Sequence, residues 1–425
     1  MLVWIVHFVW ISLFIGSVMM VSSRSCLFLF LLFYLAVCQA VGTGRSDKVV
    51  VADIVSMDLI PNANSKELFA GGYRGVLGKI VLAGKVAEFK RVSAPLDMDI
   101  LVIRSLSDDE ALIGTAKGEI YRLRNDQLER VALLSEFNEP ILDMAVKGDD
   151  VWAVGPRGLV ANSKDKGASW NVIEIDKVRK ELVLGGTEAT SWFFGVSNVD
   201  ADSLVFNATV NGKKAIDDED YYFNASEGSI EIVNPLDQGS DLRISFNYLP
   251  GPQFQAGDVS FNTVSFYAEK VLLAGEFGTV ISFDEKTGWR SIYTELTNKE
   301  SSMPYWMESN VKGQNIILVG AGGVASFSAD AGETWVSHNL DNDNGIFDAV
   351  LTADSKLIVA GAVGTIAQHN KNQWQLADRS ELGLIAWLKS IVSLGDGSYL
   401  VSGGRGSMVL FKNDLWQKIT LTGAN

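Results

Sequence analysis

Residues 152–170 read WAVGPRGLVANSKDKGASW, a stretch in which two short apolar runs flank a Gly-x-x-Gly turn at 155–158. The second run leads into a further turn with the pattern Ser-x-Asp-x-Gly-x-x-Trp at 163–170. Because glycine adopts the positive φ angles that tight hairpin turns require, the stretch predicts two antiparallel strands and a turn into a third segment.

The same strand–turn–strand pattern recurs along the chain. Start to start, the copies are spaced by 43, 40, 120, 45, 41 and 42 residues, and their turns begin at Gly72, Thr115, Gly155, Gly275, Gly320, Gly361 and Gly403. A repeat of about 42 residues with four short strands is typical of a β-propeller blade. The sequence therefore predicts an all-β, seven-bladed β-propeller; the alternative, a β-solenoid, usually has shorter repeats.

The interval of 120 residues contains one ordinary period and about 80 extra residues. We expect blades one to three in residues 45–176 and blades four to seven in 256–425. The segment 177–255 alternates apolar and polar residues and carries the hairpin signals Asn211-Gly212 and Glu227-Gly228, which predicts an inserted small β-sandwich.

The N-terminus predicts export. Residues 1–40 contain no acidic residue, and the apolar run 27–37 is followed by small residues at a cleavage site, so residues 1–40 are expected to be a signal peptide. Translation from Met19 or Met20 would make residues 1–18 a misannotated start. Two alternatives stay open: a membrane helix at Leu2–Val21 and lipidation at Cys38. The expected location is periplasmic or extracellular, either free or membrane-anchored.

Composition excludes several classes of function. The net charge of −15 disfavours nucleic-acid binding, which needs clustered Lys and Arg. Three His and two Cys leave few ligands for a metal site, and no Gly-x-x-x-x-Gly-Lys phosphate loop occurs. We therefore predict no cofactor, no metal, no catalytic residue and no enzymatic activity.

The Ser-x-Asp-x-Gly-x-x-Trp pattern is the Asp-box, or BNR repeat, of sialidase-type propellers, where it is a structural turn. Two full copies occur, with key residues Ser163, Asp165, Gly167, Trp170 and Ser328, Asp330, Gly332, Trp335. Together with WAVG-x-x-G at 152–158, the Asp-box resembles the photosystem II stability/assembly factor family and its bacterial relatives. The resemblance covers the blades but not the insertion. It implies an exported, non-enzymatic accessory role for membrane-protein complexes, and that family also carries an arginine-rich patch.

Two sets of charged residues are candidate sites. The third positions of the Gly-x-x-Gly turns are basic in four neighbouring blades, and we call this set the basic arc: Arg74, Lys117, Arg157 and Arg405. Acidic residues recur at the starts of first strands, and we call this set the acidic funnel: Asp53, Asp97, Asp143, Asp258, Glu308 and Asp348. The simpler interpretations are exposed turn residues for the arc and hydrogen bonds to neighbouring-blade amides for the funnel.

The sequence thus predicts a monomeric binding or assembly-accessory protein that uses one propeller face. Its expected partner is a protein, within a membrane-associated complex, and peripheral membrane association fits this role. The alternative is a secreted glycan-binding or glycan-hydrolysing, sialidase-like propeller whose funnel carboxylates act as acid and base.

Overall fold

The computed structural model describes residues 48–61, 66–252, 256–292, 303–354, 356–370 and 373–423. The expected signal peptide lies outside these residues. Strands dominate, and within these ranges no helix has the length and apolar character needed to cross a bilayer.

Within the described residues, most strands belong to four-stranded antiparallel meanders, which we number in chain order as blades one to seven. After β1 (Lys48–Val49), blade one contains β2 (Ile54–Leu59), β3 (Glu67–Gly72), β4 (Leu77–Ala83) and β5 (Val86–Arg91); blade two β6 (Ile100–Ser105), β7 (Glu110–Thr115), β8 (Glu119–Arg124) and β9 (Gln127–Leu133); blade three β10 (Asp143–Lys147), β11 (Asp150–Val154), β12 (Val160–Ser163) and β13 (Asn171–Val172). The inserted strands are β14 (Val178–Val183), β15 (Ser191–Phe193), β16 (Val199–Asn207), β17 (Thr209–Val210), β18 (Lys213–Lys214), β19 (Tyr221–Asn224), β20 (Ser229–Ile232) and β21 (Arg243–Tyr248). Blade four contains β22 (Phe261–Tyr267), β23 (Lys270–Gly275), β24 (Val280–Asp284) and β25 (Gly288–Ser291); blade five β26 (Trp306–Lys312), β27 (Asn315–Gly320), β28 (Ala325–Ser328) and β29 (Val336–Ser337); blade six β30 (Ile346–Leu351), β31 (Leu357–Gly361), β32 (Ile366–Asn370) and β33 (Gln373–Leu376); blade seven β34 (Leu388–Ser393), β35 (Tyr399–Gly403), β36 (Met408–Lys412) and β37 (Leu415–Lys418), followed by β38 (Thr420–Gly423).

The first strands of the blades contact one another in a closed ring, in the order β2, β6, β10, β22, β26, β30, β34 and back to β2. Side chains alternate along a strand, so neighbouring residues pack into opposite gaps between blades. Leu68 packs with residues of blade seven and Phe69 with residues of blade two, and both are fully buried. The prediction of an all-β propeller is confirmed.

Both ends of the described chain join blade one. The C-terminal strand β38 runs parallel to β5, and β1 pairs with β38 from the other side. Leu421 of β38 is 1% exposed and packs with residues of blades one and seven. The chain therefore closes its ring by adding a terminal strand to the outside of the first blade.

The inserted segment continues the sheet of blade four. Strand β14 lies parallel to β25, with Arg179 opposite Arg290, and β21 and β16 extend the sheet further. A second small sheet, β15–β20–β19, packs against this extension through aromatic rings, such as Phe194 against Phe246 with ring centroids 5.3 Å apart. One hydrophobic core joins these rings to Trp152 of blade three and to residues of blade four.

Candidate functional site

The central channel, of about 520 Å³, is lined by the first strands. In six of the seven blades a β-bulge follows the first residue of the first strand. The equivalent strand position, just after the bulge where there is one, is occupied in chain order by Ser56, Val102, Asp143, Thr263, Glu308, Asp348 and Ser390. Most of their polar atoms accept a backbone N–H of the next blade. Asp143 Oδ2 accepts from Val264 N at 2.9 Å, and Asp348 Oδ2 accepts from Ile391 N at 2.5 Å.

The guanidinium group of Arg104 lies among the channel acids. Its Nη2 is 2.6 Å from Asp143 Oδ1, and its Nε donates to the carbonyl of Met144. The hydroxyl of Thr263 contacts both Asp143 Oδ2, at 3.1 Å, and Glu308 Oε1, at 2.8 Å. The channel network therefore joins blades two to five through charged and hydroxyl groups.

Burial shifts the channel carboxyls away from their usual pKa values. Burial raises the pKa of Asp348 to about 7, against the opposing effect of its two backbone hydrogen bonds. Burial also raises the pKa of Glu308 well above its usual value, and the negative charges of Asp143 and Asp348 raise it further. These carboxyls take up protons at a pH at which an exposed carboxyl has already lost them.

The acidic funnel is brought together only in part. Asp143, Glu308 and Asp348 share the channel, where Asp58 and Arg104 join them. Asp53, Asp97 and Asp258 precede the first strands and do not line the channel. Asp58 and Arg104 were missed by the sequence reasoning, although a lone arginine inside the apolar strand ILVIRS at 100–105 was a usable signal.

The Gly-x-x-Gly turns hold non-glycine residues in the left-handed backbone region, where side chains are strained. Their φ angles are 56° at Arg74, 55° at Arg157, 55° at Phe277, 55° at Val363 and 57° at Arg405. Arg74 N donates to Asp99 Oδ1 and Arg405 N donates to Asp53 Oδ1, each at 2.8 Å.

These two hydrogen bonds correct the sequence-based assignment of one residue in the acidic funnel. The counterpart of Asp53 in blade two is Asp99, which binds the turn of the preceding blade, and not Asp97. Asp97 is exposed and pairs with Lys117 at 2.7 Å. Spacing alone could not separate two aspartates two residues apart.

The structure divides the basic arc. Arg74 and Arg405 line one groove of about 800 Å³, whose other walls include Val363, Ile385 and Trp387. Ile385 is 74% exposed and Val363 is 53% exposed. Among the described residues, neither arginine side chain has an acidic partner. We call this feature the arginine groove.

The other two members of the arc are engaged elsewhere. Lys117 forms its ion pair with Asp97, and Lys117 itself lacks the positive φ that the arginines adopt. Arg157 lies 3.7 Å from Glu139 and 5.7 Å from the ring centroid of Phe137. Their charges are thus partly balanced within the protein.

The two Asp-box copies form matching turns. Asp165 Oδ1 accepts from Ser163 Oγ at 2.7 Å and from Ser169 N at 2.8 Å, and Trp170 Nε1 donates to Gly167 O. The second copy repeats each bond: Ser328 Oγ and Thr334 N donate to Asp330 Oδ1, and Trp335 Nε1 donates to Gly332 O. All acceptors of each Asp are used within its own turn, which gives these residues a structural role.

The fold and channel define a β-propeller, and comparisons with known proteins agree with this class. YCF48 from Cyanidioschyzon merolae superposes with a TM-score of 0.51 and 13% identity over 85% of this chain and 95% of that chain. YCF48 bound to D1 peptide has a TM-score of 0.46 and 13% identity over 75% of this chain and 80% of that chain. The C-terminal WD40 domain of Sif2 has a TM-score of 0.48 and 14% identity over 86% of this chain and 98% of that chain. No protein-family model and no curated protein matches the chain. At these identities the likeness shows the fold alone.

Proposed function

We propose that this chain is a seven-bladed propeller that binds a segment of a partner protein in the arginine groove. The observation that carries the proposal is the pairing of two arginines, Arg74 and Arg405, with an exposed apolar wall in one concave surface. Two guanidinium groups that lack an acidic partner among the described residues favour a carboxylate, and Ile385 and Trp387 favour an apolar side chain beside it.

Hydrogen bonds hold the backbone turns of the groove. Asp53 and Asp99 hold the amides of the two arginines, so the turns keep their left-handed conformation despite its strain. Strained residues that the surroundings hold in place often mark binding surfaces. A preformed groove loses less conformational entropy on binding than a mobile one.

The wider context is also part of the proposal. We propose that the chain is exported by its N-terminal segment and serves as an accessory factor for a membrane-associated complex, with residues 177–255 as a β-sandwich insertion. The sequence resemblance and the leader pattern support this. The hydrolytic alternative would need free carboxylates in the channel, whereas Asp143 and Asp348 accept amides of neighbouring blades.

Charge reversal tests the groove. The double variant Arg74→Glu, Arg405→Glu should lose binding of a fluorescent peptide that carries alternating Glu and Leu, by about tenfold or more, or about 1.4 kcal/mol. The matched control is Lys85→Glu, Lys286→Glu, two exposed cations in turns at the opposite end of their blades. High salt should weaken the wild-type interaction, because screening reduces attraction between exposed charges.

Both double variants should keep the wild-type melting temperature, because exposed substitutions change stability by only about 0.5 kcal/mol. Capture of the partner from solubilised membranes should be lost in the Arg74→Glu, Arg405→Glu variant and kept in the Lys85→Glu, Lys286→Glu variant. Equal loss of binding in the two double variants would mean that net charge, and not the groove, attracts the peptide, and the proposal would then be wrong.

A further inference from the structure

A second concave surface lies on the turn side of blade four, beside the insertion. This insertion cleft, of about 340 Å³, is lined by Phe277 of the blade-four turn, Phe193 of β15, Pro250 and Pro252. Phe193 is 43% exposed and Phe277 is 44% exposed. Two half-exposed aromatic rings around one cleft form a preferred surface for an apolar side chain.

The walls of the cleft are held in place by hydrogen bonds. Asn198 Nδ2 lies 3.1 Å from the carbonyl of Pro252 and 3.3 Å from that of Gly251, and Ser197 Oγ donates to Gly251 O at 2.9 Å. Phe277 has a φ of 55°, at the turn position that holds arginine, lysine, glycine or valine in the other blades. An aromatic residue in this strained conformation is costly unless its ring has a use on the surface.

The surroundings of the cleft are acidic. Glu227 lies at its rim, and Glu174 and Asp258 line an adjoining pocket on the other side of Pro250. No ion pair holds these three carboxylates among the described residues. The cation of the adjoining pocket, Arg157, is directed to Glu139 and Phe137. A basic partner complements this charge.

We propose that the insertion cleft binds an extended segment of a partner protein in which a large apolar side chain is flanked by Lys or Arg. The apolar side chain enters between Phe193 and Phe277, and the basic residues face Glu227 and the Glu174–Asp258 pocket. This site is independent of the arginine groove, which favours the opposite charge, so either site can fail without the other.

The test uses the full chain and three fluorescent peptides: one with a single Phe flanked by Lys, the same peptide with Asp in place of Lys, and the Lys peptide with Ala in place of Phe. Phe277→Gly removes the ring and relieves the positive φ. Asn413→Gly is the matched control, because the exposed Asn413 has a similar φ of 53° in a turn of blade seven and lines neither the cleft nor the arginine groove.

The Lys-flanked Phe peptide should bind best, and Phe277→Gly should weaken it about tenfold. Asn413→Gly should leave its affinity unchanged, and both variants should stay folded with a stability close to that of the wild type. Glu227→Gln should reduce the salt dependence of binding. The proposal is overturned if the Ala peptide binds as well as the Phe peptide, if the Asp peptide binds as well as the Lys peptide, if no peptide binds, or if the two glycine variants behave alike.

Discussion

At the scale of single residues, the channel shows how one strand position serves different chemistries. Ser56 and Ser390 accept a neighbouring amide through a hydroxyl, at 3.1 and 3.0 Å, whereas Asp348 accepts one through a buried carboxylate. The hydroxyl performs the same structural task without charge. The carboxylate adds a proton equilibrium that the blade contact does not need.

This difference predicts the effect of Asp348→Ser. Because the pKa of Asp348 is raised to about 7 from 3.8, the folded state binds more protons than the unfolded state between these values. Wild-type stability should therefore fall as pH rises from about 4 to about 7, by on the order of 3 kcal/mol from this group. In urea unfolding, Asp348→Ser should flatten the decrease of stability with pH, because the Ser hydroxyl can still accept the hydrogen bond from the backbone N–H of Ile391. The control Ser390→Ala removes a hydrogen-bond acceptor but no charge, so it should lower stability without changing how stability depends on pH. If Asp348→Ser kept the pH dependence of the wild type, the prediction would be wrong.

Sequence could identify the channel acids only where the repeat aligned them. Asp143, Glu308 and Asp348 stand at one step of the first strand, and the 42-residue period was enough to find them. Asp58 and Arg104 lie two residues further on, and at that position no other described blade carries a charged residue. The charges that come together in the channel belong to different blades, and they meet only when the whole ring has closed. A local sequence pattern within one blade therefore cannot predict their contacts.

At the scale of elements, the Asp-box turn is a small closed unit. The Asp330 carboxylate accepts the hydroxyls of Ser328 and Thr334 and the amide of Thr334, which lowers its pKa to about 2. A carboxyl with a lowered pKa stabilises the fold above its unfolded pKa of 3.8, and this contribution is lost as pH falls through about 2.

Asp330→Asn should therefore lower the melting temperature by a few degrees at neutral pH, and the gap to wild type should close in strong acid. Glu333→Gln, an exposed neighbour in the same turn, is the control and should match wild type at both pH values. A gap that persists unchanged in acid would mean that the carboxylate charge does not contribute.

The insertion shows what element-level reasoning missed. Alternation and hairpin signals predicted strands within 177–255, but none of these signals indicated that β14 pairs with the propeller. Its pairing with β25 joins residues more than a hundred positions apart. Such parallel, long-range pairing has no turn to signal it, so a segment that was expected to stand apart shares a sheet with the propeller.

At the scale of the whole molecule, the terminal strand β38 links the last blade to the first. Leu421→Ala should destabilise the protein by about 2–4 kcal/mol, because it opens a cavity between blades seven and one. Leu415→Ala, at a position 70% exposed in β37, should change stability by less than about 0.5 kcal/mol. Urea unfolding of both variants measures the difference, and equal effects would show that β38 adds little to closure.

The last prediction concerns removal of the insertion. Val178 and Tyr248 are cross-strand partners, so the entry and exit of the segment are adjacent and a short Gly/Ser linker can replace residues 178–248. The ring contacts of the first strands do not involve the insertion, so the shortened chain should still unfold cooperatively. It should melt at a lower temperature and bind a hydrophobic dye, because the shared core would expose the apolar surface around Trp289. Replacing only residues 209–214, the β17–β18 hairpin, should leave both properties unchanged. If the 178–248 replacement gives only aggregates, the insertion is part of the folding unit of the propeller, and the proposed domain boundary is wrong.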